Sequence, residues 1–204
     1  MNRLFIALRP PPDIRLVLLD AMGGVPGARW QEDAQLHCTV RFVGEVDRPQ
    51  AEDLAAALAA IHSEAPRVQI AGVGRFEHKG RTDTLWAKLG PVESLRHLAR
   101  KVEQACLRAG LPPERRAYHP HVTLARLARS AGASPEIEEW LAARAGLATS
   151  VFAMPHLILY QSYLGRGGAS YEPVARWSLA GQPELGQVVT GSQGANQGSN
   201  RETR

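Results

Sequence analysis

Two short segments of the sequence each pair a histidine with a threonine two residues later. They are Leu36-His37-Cys38-Thr39-Val40 and Pro120-His121-Val122-Thr123-Leu124. Side chains alternate between the two faces of a strand, so each segment, if extended, carries its imidazole and hydroxyl on one face and apolar side chains on the other. A histidine can hold or release a proton near neutral pH, and a threonine hydroxyl can donate a hydrogen bond to an anionic oxygen.

Two imidazoles and two hydroxyls around one cavity suit the opening of a cyclic phosphodiester. That reaction needs a base to take a proton from the attacking water and an acid to protonate the departing sugar oxygen. An arginine would complete the phosphate site by bidentate contact. Arg41 shares strand parity with His37 and faces the same side if the strand is regular. Arg126 has the wrong parity relative to His121, unless its strand ends or bulges after Leu124.

A single His-x-Thr segment is ordinarily structural, whereas two copies in matched apolar surroundings favour a chemical role. His119 shares a strand face with His121, which raises the alternative of a zinc site. Zinc takes three or four protein ligands, and neither Cys-x-x-Cys nor clustered carboxylates accompany this pair. We therefore expect no metal and no cofactor.

The elements that would position these segments alternate between strands and helices. Apolar residues at helical or alternating spacing predict strands at 3–8, 36–43, 67–76, 83–89, 117–125, 150–161 and 171–179. The same patterns predict helices after Pro11 and Pro12, around 52–61, at 92–106 and at 135–145. A strand–helix–strand–helix order with a histidine strand occurs early, and a similar histidine strand recurs late. A duplicated half with helices packed on antiparallel strands predicts an α+β fold.

Composition limits the domain organisation and the class of partner. The 204 residues are 44% apolar and 22% charged, which is typical of a globular protein. A net charge of +4 leans toward anionic partners. Beyond Gly181 the sequence becomes rich in Gly, Gln, Ser, Asn and Thr, which cannot bury enough apolar surface to order. We expect one bilobal domain over 1–181 and a disordered tail over 182–204.

The two cysteines and the lengths of the apolar runs indicate the cellular compartment. Cys38 and Cys106 fall on predicted buried faces, which favours reduced core thiols over a disulfide. The N-terminal apolar stretch is too short for a secretion signal. No run approaches the roughly 18 residues that would cross a bilayer. These features predict a cytoplasmic protein without membrane contact, and we expect it to be a monomer.

At these residues the sequence resembles the two-histidine (2H) phosphoesterases, a superfamily named for paired His-x-Thr-x motifs. Within it, the sequence is most similar to the RNA 2',3'-cyclic phosphodiesterases, first described as 2'-5' RNA ligases. The resemblance covers about residues 2–180. Besides the two motifs it includes Arg3-Leu-Phe-Ile-Ala-Leu, Thr84-Leu-Trp-Ala, Tyr118-His-Pro before His121, and Leu157-Ile-Leu-Tyr-Gln-Ser.

The resemblance implies a bilobal fold in which two antiparallel sheets flank a central groove and the helices pack outside. It also implies metal-independent opening of a 2',3'-cyclic phosphate to a 2'-phosphate. By similarity, His37 is the proton donor to the leaving 3' oxygen, and His121 is the proton acceptor from water. Thr39, Thr123 and Arg126 are then the phosphate-binding residues. In a regular strand, the side chain of Arg126 would point to the face opposite His121. Because the resemblance nevertheless implies that Arg126 binds the phosphate, we predict that the strand is irregular at its end, near Arg126.

Several alternatives remain open at the level of sequence. The same site could join RNA ends through a 2'-5' bond, with a 5'-hydroxyl attacking instead of water, or open the cyclic phosphate of a small nucleotide. From another class, the chain could be a non-catalytic RNA-end-binding module, although such a module does not need two histidines. Three aromatic residues are candidates for stacking on the terminal base, namely Phe5, Phe42 and Tyr118.

Overall fold

The computed structural model describes residues 2–165 and 168–179, which form nine strands and four α-helices. The strands are β1 (Asn2–Leu8), β2 (Ala28–Trp30), β3 (Cys38–Val46), β4 (Arg67–His78), β5 (Arg81–Gly90), β6 (His121–Leu127), β7 (Phe152–Ala153), β8 (His156–Gly165) and β9 (Gly168–Ser178). The helices are α1 (Pro12–Asp20), α2 (Arg48–Ala59), α3 (Glu93–Arg108) and α4 (Glu136–Arg144). The predicted α+β class is confirmed.

The strands form one antiparallel path in the order β7-β4-β5-β6-β3-β1-β8-β9, with β2 paired to β6. The join between β6 and β3 is a single residue pair, Cys38 with Val122. The path therefore consists of two four-stranded halves that meet at one point. The two sheets that were predicted to flank a groove are these two halves.

The order of the elements contains an internal repeat. The series β1, α1, β3, α2 and β4 corresponds in order to β5, α3, β6, α4 and β8. The last strand of each repeat lies in the other half, because β4 pairs with β5 and β8 pairs with β1. Because of this strand exchange, each half of the sheet contains strands from both repeats. The exchange also places the approximate two-fold axis at the β3–β6 join, next to both histidines.

Helix burial follows from apolar spacing along each helix. In α3, a stripe that includes Leu95, Leu98 and Val102 is fully buried, as expected for an amphipathic helix on a sheet. One buried apolar cluster contains residues from all four helices and from both halves of the path. The predicted core thiols Cys38 and Cys106 are confirmed as buried and free. Within the described ranges, no helix is both long enough and apolar enough to cross a membrane.

The predicted element boundaries fail mainly near prolines. The strand predicted over 117–125 begins only at His121, directly after Pro120. The strand predicted over 150–161 is interrupted at Pro155 and becomes β7 and β8, since proline lacks the N–H that a ladder needs. The three-residue strand β2 gives no periodic signal and was missed. The predicted disordered tail lies outside the described residues.

Candidate active site

The two histidines lie at the point where the halves of the strand path meet. His37 immediately precedes β3, and His121 is the first residue of β6. Because the single β3–β6 pair is antiparallel, its register places His37 across from Thr123 and His121 across from Thr39. All four side chains line one cavity of about 580 Å³. The structure thus brings together the four residues that the paired motifs predicted.

Both imidazoles are anchored by the same type of hydrogen bond. Nδ1 of His37 lies 2.7 Å from the carbonyl oxygen of Gln35, and Nδ1 of His121 lies 2.7 Å from that of His119. A carbonyl oxygen can only accept, so Nδ1 carries the hydrogen in each ring. The lone pair of each neutral imidazole is therefore on Nε2, which is the nitrogen available for proton transfer.

Aromatic side chains from other strands of the sheet hold both rings in place. The His37 ring centroid lies 4.9 Å from that of Phe5 and 5.2 Å from that of Tyr171, which meets it edge-on. The His121 ring lies 4.9 Å from Phe76 in the same edge-on arrangement. Such contacts restrict rotation about χ2 and keep Nε2 aimed in one direction. Sequence reasoning missed Phe76 and Tyr171, since a lone aromatic residue in a strand carries no motif.

Both histidines have lowered pKa values. The pKa of His37 is lowered to about 4, mainly by burial; the Gln35 carbonyl opposes this shift, and the charges of His121 and Arg126 contribute to it. Burial also lowers the pKa of His121, opposed by the His119 carbonyl and assisted by the charges of His119 and Arg126. Both rings are therefore mainly neutral at pH 7 when the cavity holds no anion. A bound phosphate would favour the protonated forms.

Arg126 reaches the cavity because β6 is irregular. The pairing of β6 with β5 skips Leu124, and both Leu124 and Ala125 are buried. This β-bulge reverses the parity of the residues that follow it. Arg126 therefore lines the same cavity as His121 and Thr123, and the predicted irregular strand end is confirmed.

A β-bulge of the same kind in β3 orients Arg41 away from the cavity of the two histidines. The pairing of β3 with β1 skips Val40, so Phe42 faces the cavity of the two histidines and Arg41 does not. The parity argument that placed Arg41 beside His37 is wrong for this reason. Arg41 Nε instead lies 2.7 Å from Glu103, and its Nη1 lies 3.5 Å from Glu114, so Arg41 joins β3 to α3 and to the loop that follows.

A buried hydroxyl positions the guanidinium of Arg126. Nη1 of Arg126 donates to Oγ1 of Thr84 over 2.7 Å. The Thr84 hydroxyl in turn donates to Oδ1 of Asp83 over 2.8 Å, and Thr84 is almost completely buried. A guanidinium held in this way loses little conformational entropy when it binds an anion. Thr84 was not predicted as a site residue.

The approximate two-fold symmetry of the cavity is broken at one pair of equivalent positions. Thr84 pairs with Arg126 across β5 and β6, and Phe5 pairs with Phe42 across β1 and β3. The two phenyl rings lie 6.2 Å apart at their centroids. The β6 side of the cavity is therefore suited to an anion, and the β3 side offers an aromatic surface.

The remaining histidine near the site does not complete a metal centre. His119 lines the neighbouring cavity, and its ring lies 6.1 Å from that of His121. Over residues 2–165 and 168–179, no group of three or more His, Cys, Asp and Glu side chains is arranged to hold a metal ion. The donor set that zinc requires is thus missing from this part of the chain.

Comparison with known proteins agrees with this geometry. The RNA 2',3'-cyclic phosphodiesterase of Aeropyrum pernix is 33% identical over 150 residues, which are 73% of this chain and 84% of that protein. The protein of the same name from Escherichia coli strain K12 is 29% identical over 182 residues, 87% of this chain and 97% of that one. The crystal structure of E. coli LigT complexed with 3'-AMP superposes with a TM-score of 0.70 at 26% identity, covering 87% of this chain and 98% of LigT.

A match to a protein-family model over most of the described chain identifies the family. Residues 10–163 match the model of the 2'-5' RNA ligase superfamily. That range contains both histidine motifs, Arg126 and the β3–β6 join. The chain belongs to the 2'-5' RNA ligase superfamily.

Proposed function

We propose that this protein hydrolyses the 2',3'-cyclic phosphate at an RNA end to a 2'-phosphomonoester. The observation that carries the proposal is the shared cavity in which two anchored imidazoles, two threonines and one arginine converge. Relatives similar over most of the chain are named RNA 2',3'-cyclic phosphodiesterases, which supports the same substrate class. The reaction joins one water to the phosphorus and breaks the bond between phosphorus and the 3' oxygen.

In the proposed mechanism the two histidines act in opposite directions. Nε2 of neutral His121 takes a proton from the attacking water, and protonated His37 gives one to the departing 3' oxygen. Charge accumulates on the non-bridging oxygens, where the hydroxyls of Thr39 and Thr123 and the guanidinium of Arg126 stabilise it. The crossed register of the two motifs supports this role, since a phosphorus held between the two threonines would have one imidazole on each side.

The polarity of the cavity supports one orientation of the substrate. Arg126 on the β6 side would hold the phosphate, and the terminal base would lie on the β3 side. Of the three aromatic candidates, Phe42 is half-exposed whereas Phe5 is buried beneath it, and the Tyr118 hydroxyl lies 3.8 Å from Cys38 Sγ, away from the cavity of the histidines. Phe42 is therefore the residue that we propose stacks on the base.

The proposed reaction needs no metal, because two imidazoles supply both proton transfers. We further propose that the protein acts as a monomer in the cytoplasm. The site is built from one chain, which supports the first point. The two buried free thiols suit a reducing compartment, which supports the second.

Product analysis on a defined RNA end tests the proposal. An oligonucleotide that ends in a 2',3'-cyclic phosphate should be converted to a 2'-phosphate end, identified by its resistance to a 3'-specific phosphatase. Adding a chelator should leave the rate unchanged. A 3'-phosphate product, or binding without turnover, would contradict the proposed reaction and favour another cleavage or a binding module.

Ligation and small-nucleotide chemistry use the same cavity. The crystal structure of E. coli LigT with 3'-AMP shows that this neighbour accommodates a mononucleotide. A panel containing cyclic mononucleotides and a 5'-hydroxyl acceptor RNA separates these reactions from hydrolysis, because each yields a distinct product.

The pKa values of the two imidazoles predict an acid-shifted pH profile. In the free enzyme the productive state has His37 protonated and His121 neutral, and both pKa values lie below 6.5. The profile of kcat/KM should therefore be bell-shaped, with its maximum below pH 6.5 and a decline at higher pH as His37 loses its proton. Bound phosphate favours the imidazolium, so the alkaline limb of kcat should lie at higher pH than that of kcat/KM.

Initial rates between pH 4 and pH 9 test this profile. A value of kcat/KM that rises steadily between pH 6.5 and pH 8 would show that the acid is not a group with a lowered pKa. Circular dichroism at each pH controls for unfolding, because the folded state binds fewer protons at these histidines and loses stability as the pH falls below 6.5.

A further inference from the structure

A second cavity of about 450 Å³ opens directly from the site of the two histidines. The two cavities share Thr39, Phe42, Arg116 and His121 among their lining residues. The second cavity extends from these residues toward the exposed face of α3. A substrate whose end lies between the histidines can therefore continue into the adjoining cavity beside α3.

The charge of this second cavity is positive. It contains two carboxylates, Glu103 and Glu114, and both are paired with Arg41. Glu114 also pairs with Arg116 at 3.2 Å, and these arginines hold the pKa of Glu114 low, at about 2. The acidic residues of the cavity are thus neutralised by two of its own arginines.

Two further arginines supply uncompensated charge. Arg96 and Arg100 line the cavity from α3, are exposed, and form no ion pair with any residue in the ranges 2–165 and 168–179. They are four residues apart, so they lie on one face of the helix, separated by about one turn. We name this pair of residues, Arg96 and Arg100, the arginine track.

The positive surface continues beyond Arg100. This residue also lines a cleft between α2 and α3, together with His97, Lys101 and Arg108. Among the described residues that line this cleft there is no carboxylate. The charge therefore extends along α3 over several turns, which is a length suited to a chain of anionic groups.

The opposite arm of the groove differs in charge. A cavity on the other side of Arg126 is lined by Arg29 but also by Glu32 and Asp83. Its positive and negative side chains roughly balance, so it offers less attraction to a polyanion. The electrostatics favour the α3 side as the direction in which an anionic substrate leaves the site.

We propose that the arginine track binds the backbone phosphates of the single-stranded RNA that adjoins the cyclic end. The inference rests on the proposed function, and it makes the preferred substrate an oligonucleotide of several residues rather than a cyclic mononucleotide. Arginines next to Phe42 and Tyr118 combine charge with aromatic surface, which is the combination that binds single strands without sequence preference. Direct continuity with the cavity of the histidines favours RNA over a membrane or an acidic protein.

The test compares substrates of increasing length. For the native protein, kcat/KM should rise from a cyclic mononucleotide to an oligonucleotide of about six residues. The variant Arg96→Gln/Arg100→Gln should lower the oligonucleotide-to-mononucleotide ratio of kcat/KM on the order of tenfold. Two lost phosphate contacts should also reduce the slope of log(kcat/KM) against log[salt] by roughly 1.4. Glutamine is a good helix former at exposed positions, so α3 should stay folded.

A matched control removes the same charge elsewhere. The variant Arg67→Gln/Arg129→Gln changes two exposed arginines outside these cavities and should keep the native length preference. A length preference that survives Arg96→Gln/Arg100→Gln overturns the arginine track while leaving the proposed reaction intact.

A binding measurement distinguishes failure of the proposed RNA contact at the arginine track from failure of the proposed reaction. Fluorescence anisotropy with a hexanucleotide that ends in a 3'-hydroxyl measures RNA binding at the arginine track, because this RNA has no cyclic phosphate to hydrolyse. Arginine-dependent binding without hydrolysis of any cyclic end would support the track and refute the proposed reaction. Equal binding by the native protein and Arg96→Gln/Arg100→Gln would refute the track.

Discussion

Replacing either histidine with asparagine is expected to lower kcat on a cyclic-phosphate-ended oligonucleotide by roughly 10²- to 10⁴-fold, the range for losing one acid or base. Asparagine is chosen because its side-chain NH₂ can take the place of Nδ1 and keep the bond to the carbonyl of Gln35 or His119. The substitution then removes Nε2 and the outer part of the ring but keeps the anchoring hydrogen bond. Single-turnover rates on the same oligonucleotide measure the loss, and His78→Asn at an exposed position is the matched control.

The two roles can be separated with a better leaving group. A substrate in which sulfur replaces the bridging 3' oxygen releases a thiolate, which needs no proton from an acid. His37→Asn should recover most of its activity on this substrate, whereas His121→Asn should not. Recovery by His121→Asn instead would mean that the two roles are exchanged. Native activity in either variant on the ordinary substrate would remove the acid–base mechanism.

The sequence was sufficient to predict that four polar side chains of the paired motifs share one cavity. A histidine and a threonine two residues apart must share a face of an extended segment, whatever the rest of the fold does. His37 and Thr39, and likewise His121 and Thr123, therefore reach the cavity by local geometry alone. The duplication of the motif then indicated that two such faces meet.

The arginines could not be predicted in the same way. Each lies beyond a β-bulge, at Val40 in one strand and at Leu124 in the other, and a bulge reverses every later side chain. Counting along a regular strand therefore gave the wrong orientation for both Arg41 and Arg126. Only the family resemblance indicated the second bulge, and nothing in the sequence indicated the first.

Residues that position another site residue could also not be predicted from the sequence. Thr84 matters because β5 lies beside β6 and brings its hydroxyl under Arg126. That neighbour relation depends on the long-range strand order, in which the repeats exchange their last strands. A single threonine in a strand gives no signal of such a contact.

Replacing Arg126 with glutamine is expected to lower kcat by roughly 10²- to 10³-fold, the effect of removing one preorganised donor to transition-state charge. Lysine should recover only part of this loss, since an ammonium cannot reproduce bidentate contact with phosphate. Thr84→Val should cause a smaller loss of the same kind, because it frees the guanidinium from its 2.7 Å bond without removing it. The losses should appear in kcat/KM as well as in kcat, measured by steady-state kinetics.

Arg41→Gln provides the decisive contrast, because strand parity alone predicts the opposite ranking. Arg41 is largely buried between Glu103 and Glu114. Its removal leaves Glu103 without an ion pair, while Glu114 keeps Arg116, and should cost on the order of 3 kcal/mol of unfolding free energy. Catalysis by the folded fraction should fall far less than in Arg126→Gln. Urea unfolding and the rate per folded molecule distinguish the two effects. A stable Arg41→Gln protein that loses catalysis as severely as Arg126→Gln would show that Arg41, and not Arg126 alone, contacts the phosphate.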